Sequence, residues 1–213
     1  MLQPYAGDCA PVASCPFVPT LRAAQLAVAR ATSGVTAAVT VDLGDALAPA
    51  GSVHSRRKQE VASRLVAGAM LTRFGAASQA GPVYGPTYSL ARDSSSGASL
   101  SAEVTFDGST VGATLVLLTD GASCPVGVSP TAPNVTDCAW FAIQGSMSGW
   151  VNATTVTLVN ATSIRLSAQG AAGEVALATA FGQASWPVAT LFSDGAAGNA
   201  PPLPAIPWNE TTI

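Results

Sequence analysis

The residue best suited to moving protons in this chain is His54, the single histidine among 213 residues. It stands in the run GDALAPAGSVHSRRKQEV, residues 44–61, between a loop and a basic helix start. An imidazole titrates near neutrality, so it can take a proton and return it within one catalytic cycle. With a carboxylate on its second nitrogen it can act as general base toward a serine hydroxyl, and the carboxylate stabilises the imidazolium that forms. Asp42 and Asp45 both precede it, and either could be that carboxylate. The competing role for the two aspartates is to cap the turn after a strand. A lone loop histidine is more often structural or merely exposed than catalytic. Arg56-Arg57-Lys58 follow directly. They could hold a carboxylate, but on a first helical turn they read more simply as solvated cations, placed against the helix dipole.

Other residue types set further expectations. Cys9 with Cys15 and Cys124 with Cys138 are close in sequence, and each pair flanks a proline-containing loop. Of the three connectivities that four cysteines allow, these two local disulfides are the simplest. A zinc site is disfavoured because no CxxC spacing occurs and only one histidine is present. Four of the five asparagines open an N-x-Ser/Thr sequon: Asn134, Asn152, Asn160 and Asn209. A chance asparagine fits that pattern roughly one time in six. Sequons and paired cysteines together point to the secretory route, secreted or lysosomal. The start MLQPYAGDCAPVASC lacks the basic end and apolar core of a signal peptide, so an N-terminal part of a longer protein is expected to be missing. Trp140, Trp150, Trp186 and Trp208 could stack on sugars, although tryptophans spread over alternating strands are more often packing residues.

Composition narrows the class. Hydrophobic residues make up 48% and charged residues 10%, with a net charge of −3, which excludes a disordered tail. The scattered cations and acidic pI of about 4.9 exclude a nucleic-acid footprint. No apolar run is long enough for a membrane-spanning helix. No phosphate loop, EF-hand or metal motif occurs, and no cofactor is expected.

The elements that must position His54 come next. PTLRAAQLAVARA, residues 19–31, carries Leu21, Ala24 and Val28 at helical spacing, with Thr20 as N-cap and Gly34 as terminator. VTAAVTVDLGD alternates Val39, Val41 and Leu43 as a strand running into a turn. Residues 55–74 read as a second helix, capped by Ser55, with Val61, Leu65, Ala69 and Thr72 on one face. Glu60–Arg64 would be its i, i+4 pair, and Gly75 its C′ residue. After GPVYGP, residues 81–86, the pattern becomes all β. SLSAEVTFDG, TVGATLVLLTDG, CAWFAIQG, TTVTLVN, TSIRLSAQG and EVALATAFG alternate between turn clusters at the spacing of a β-sandwich. The proline-rich tail NAPPLPAIPWNETTI is expected along the surface. The fold class is therefore α/β plus all-β, with residues 1–80 forming the end of an α/β domain and 81–213 a β-sandwich.

The run VDLGDALAPAGSVHSRRKQEVASRLVAGAM resembles the segment around the catalytic histidine of the sialate O-acetylesterase family, which consists of SGNH-type serine hydrolases. The residues that carry the resemblance are Asp42-Leu43-Gly44-Asp45, Val53-His54, Lys58-Gln59 and Arg64-Leu65, with LRAAQ (Leu21 to Gln25) upstream. In the all-β half they are Cys138-Ala-Trp140, SMSGWVNAT, GEVALATAFGQASWPV and PPLPAIPW, so the likeness runs in order along the chain. It implies the C-terminal end of an SGNH-type α/β hydrolase domain followed by an antiparallel β-sandwich. His54 is then the catalytic base, and the substrate an O-acetylated sialic acid or another acetylated glycan.

The departures are specific. Ser55 replaces the family's proline after the histidine. Gly51 occupies the position that often carries the orienting aspartate, so Asp45 is preferred for that role, with Asp42 or a histidine working without a carboxylate as the alternatives. The family's Gly-Asp-Ser nucleophile block is absent. Gly7-Asp8-Cys9 does not replace it, because no apolar strand precedes it and a proline loop follows. The expectation is a base without its serine, so the 213 residues alone should hydrolyse nothing. The alternatives are a glycan-binding β-sandwich module or an inactive fragment.

Overall fold

The computed structural model describes residues 2–3, 17–43, 48–49, 54–75, 98–117, 127–129, 132–135, 138–183, 191–194 and 202–211. In the N-terminal part, β1 (Leu2–Gln3) pairs in parallel with β2 (Ala38–Val39). Helices α1 (Phe17–Ala31) and α2 (Lys58–Phe74) flank this pair. Beyond β2 the chain turns at once, with Leu43 N–H donating to the Thr40 carbonyl. The expected alternation does not hold here. Ala38, Val39, Thr40, Val41 and Leu43 are all buried, as in a parallel strand covered on both faces.

Helix α1 presents a different face from the one its spacing implied, and α2 keeps only the first half of its expected face inward. In α1 the buried residues are Val18, Arg22 and Leu26, one every four positions, whereas Leu21 and Val28 are exposed. The helix begins at Phe17, three residues before Thr20, and Pro19 is accommodated in its first turn, where no backbone donor is needed. Helix α2 starts at Lys58, and Ser55 Oγ accepts from Arg57 N–H at 3.1 Å just ahead of it. Its inward side is made by Val61, Arg64, Leu65 and Gly68, while Ala69 and Thr72 are exposed. Gly68 lets the helix close on Thr36, whose Cγ2 would lie 2.7 Å from a Cβ at that position. Gly75 ends α2 with φ +63°, the left-handed C′ conformation expected of it.

The second half is antiparallel. Strands β3 (Ser99–Thr105), α3 (Gly108–Val111, a helical turn), β4 (Leu115–Leu117), β5 (Gly127–Ser129), β6 (Ala132–Val135) and β7 (Cys138–Gly145) come first. They are followed by β8 (Gly149–Ala153), β9 (Thr155–Asn160), β10 (Ser163–Gln169), β11 (Ala176–Phe181), β12 (Leu191–Ser193) and β13 (Trp208–Thr211). A three-stranded sheet has the order β3-β10-β9 and a four-stranded sheet β13-β11-β7-β8, with β4–β12 and β5–β6 as separate pairs. One core joins them, from Leu100, Ala102 and Val104 on β3 and Ile164 and Leu166 on β10 to Phe141, Ile143, Phe181 and Trp208 on the other sheet. Phe141 and Phe181 stack at 4.7 Å, and Phe181 and Trp208 lie 5.0 Å apart.

The described middle of the tail, Pro204 to Trp208, is not a surface strip. Ala205, Ile206 and Trp208 are buried, and Ile206 packs with Leu26 of α1 and Val39 and Val41 around β2. Proline confines a chain to strand ends and edges. Here it does so by bringing the chain past the helical part before β13 adds to the edge of the four-stranded sheet.

Candidate functional site

His54 stands one residue ahead of buried Ser55, and its own side chain is exposed. Among the described residues it has no hydrogen-bond partner. Asp45 and Gly51 lie outside the described residues, so the preferred His54–Asp45 pairing does too. Asp42 can be placed. It occupies the turn after β2, half-buried, and both carboxylate oxygens accept from Arg64 of α2 at 2.6 Å. The same guanidinium donates to the Val39 carbonyl at 2.6 Å.

This bidentate clamp replaces the expected Glu60–Arg64 helix pair. Glu60 bonds Arg57 instead, at 3.0 Å on the exposed side, and that guanidinium holds its carboxyl below the usual glutamate range. The reason is geometric: Arg64 lies on the face docked against β2, where water is partly excluded and a fork of donors meets a carboxylate edge-on. Asp42 is thereby occupied as a structural anchor. The turn after β2 is pinned to α2. Motif residues Asp42 and Arg64 therefore meet in space.

A second arginine ties the helical part to the sheets. Arg22 of α1 is buried and donates to the Gly182 carbonyl just beyond β11. Burial lowers its pKa to about 10. Nothing in the spacing marked Arg22 as buried except its place midway between Val18 and Leu26, the signal that would have found the true face of α1.

The remaining sequence candidates separate cleanly. Trp208 is a core residue whose indole N–H donates to Thr179 Oγ1 at 3.1 Å, and it offers no sugar platform. Trp150 on β8 is 43% exposed. Trp186 and the Trp140 side chain lie outside the described residues, as do Cys9, Cys15, Cys124, the Cys138 side chain and the Asn134 side chain. Asn152, Asn160 and Asn209 are exposed. Among the described residues no group of three or more metal-ligating side chains occurs, and no helix is long and apolar enough to cross a membrane.

No family model matches the sequence, and no curated protein matches it. Among solved structures the fold is similar to that of a carbohydrate acetylesterase from Xanthomonas citri, with a TM-score of 0.60 and 20% sequence identity. The match covers 100% of this chain and 40% of that one. The likeness is one of fold, and this chain spans well under half of the length of the structure it resembles.

Proposed function

We propose that these residues form the C-terminal part of a carbohydrate O-acetylesterase of the serine-hydrolase type, with His54 as its general base. The observation that supports this most is the end-to-end match in fold to a carbohydrate acetylesterase, on a chain whose one histidine follows a strand-end turn. In the reaction a serine hydroxyl attacks the acetyl carbonyl while His54 accepts its proton. The tetrahedral intermediate collapses as His54 returns the proton to the sugar oxygen. Water then repeats the sequence on the acyl-enzyme, releasing acetate and restoring the serine. The serine and its oxyanion donors come from a polypeptide portion outside these 213 residues. O-acetylated sialic acid is the proposed substrate, with other acetylated glycans as the wider class. The secretory route is the proposed location, and the all-β part from about residue 81 is proposed as an accessory β-sandwich.

The test compares two preparations. The 213-residue chain alone is expected to release no acetate from O-acetylated sialic acid. A longer polypeptide in which a Gly-Asp-Ser block precedes these residues is expected to do so, with kcat/KM falling at least about 10³-fold in His54→Ala. Full activity in that variant would sink the assignment of His54, and turnover by the short chain would sink the external serine.

A further inference from the structure

Strand β8 forms one edge of the four-stranded sheet, and its five residues divide sharply between two faces. Val151 packs against the core and Ala153 is buried within it. Trp150 and Asn152 point the other way, both exposed. Two residues apart on one side of a strand, their Cα atoms are separated by about 6.5–7 Å. Their cross-strand neighbours on β7 are Gln144 and Ala142, both half-buried. Asn152-Ala-Thr154 is a sequon with an exposed indole two positions ahead of it. No other described sequon has this arrangement, since Leu158 precedes Asn160 and Pro207 precedes Asn209 at the same offset.

We infer that Asn152 carries an N-linked glycan whose innermost N-acetylglucosamine packs on the face of Trp150. In the transfer, the Asn152 amide nitrogen bonds to the anomeric carbon of a lipid-diphosphate-linked oligosaccharide and loses a proton. The bond from that carbon to the diphosphate breaks, and the lipid diphosphate leaves. The Thr154 hydroxyl, which completes the sequon, donates in the folded chain to the Ser167 carbonyl at 3.2 Å. Transfer therefore belongs to the chain before β8 and β9 settle against β10. Once folded, the sugar's apolar C–H face covers an indole that is otherwise wet. The glycan also shields a strand edge whose free backbone groups invite pairing with another chain. This inference does not depend on the esterase reading.

The test secretes the 213-residue chain from a eukaryotic host behind a removable signal sequence. Peptide mass spectrometry after enzymatic deglycosylation in H₂¹⁸O is expected to find labelled Asp at position 152, and an unmodified Asn152 overturns the inference. A double-mutant cycle then reads the contact. Asn152→Gln is expected to lower Tm by about 3 °C in the Trp150 background and by much less in the Trp150→Gln background. Trp150→Phe should keep most of the difference. Equal losses in all three backgrounds overturn the stacking. Should Trp150→Gln fold poorly, the wild-type glycoprotein decides: sugar C–H resonances shifted upfield by the indole ring current are expected, and their absence overturns it.

Discussion

Arg64 and Asp42 make a bidentate contact between α2 and the turn after β2, and its cost of disruption is large because the pair is largely shielded from water. Their side chains are only 13% and 16% exposed. Removing one partner of such a pair strands the other charge, so Arg64→Ala is expected to cost about 3 kcal/mol in urea unfolding. Glu60→Ala, which removes an exposed and solvent-screened pair, is expected to leave the urea midpoint essentially unchanged. Glu174 gives a prediction in pH. Its carboxylate accepts from the backbone of Ser148 and Ala171, from the Ser148 hydroxyl and from the backbone of Met147. These bonds depress its pKa from 4.5 to about 2. A depressed carboxylate stabilises the fold above its unfolded pKa, and the contribution is lost as pH falls through the folded one. Tm should therefore decline between about pH 4.5 and 2, and the decline should be shallower in Glu174→Gln. The sequence singled out Asp42 and Arg64 but not their union. An arginine with a glutamate one turn away and an aspartate 22 residues back is assigned only once the helix docks.

At the scale of elements, the strands were the more legible part. CAWFAIQG is β7 from end to end, and SLSAEVT, TVTLVN and SIRLSAQ are β3, β9 and β10. A two-residue period is local, and each of these strands has one face on a shared core. The helices were found at nearly the right places, but α1 with the wrong face inward and α2 with only Val61 and Leu65 of its expected face turned in. Alanine-rich helices offer several weakly apolar sides, and packing selects among them. The glutamate-bound turn shows the same dependence on distant partners. A Cβ at Gly145 would sit 2.0 Å from Glu174 Oε1 and 2.7 Å from Ser148 Oγ. Gly145→Ala is accordingly expected to break the contact between the β7–β8 turn and residues 171–174 and to lower Tm by several degrees. An unchanged Tm would show that the turn can open without loss.

Across the whole molecule, the helices carry apolar side chains that the described residues leave uncovered. Phe17, Leu21 and Val28 on α1 and Val66, Met70 and Phe74 on α2 are each at least 40% exposed. Beside them β1 and β2 form a parallel pair only two residues long, far short of the covered sheets in which parallel strands usually occur. The isolated chain is therefore expected to bind a hydrophobic dye and to self-associate. Val66→Lys with Phe74→Lys should reduce both, as read by dye fluorescence and light scattering. The sequence alone determined where the strands run, that there is one candidate base, that no Gly-Asp-Ser block accompanies it, and which asparagines can accept a glycan. These are matters of local period and residue identity. Only the tertiary structure decided that Pro204 to Trp208 of the proline-rich tail are buried, that Arg22 reaches the sheet, and that Arg64 clamps Asp42. It also decided which helix faces stay in water. Each of these depends on residues far apart in sequence and on which surface another element happens to cover.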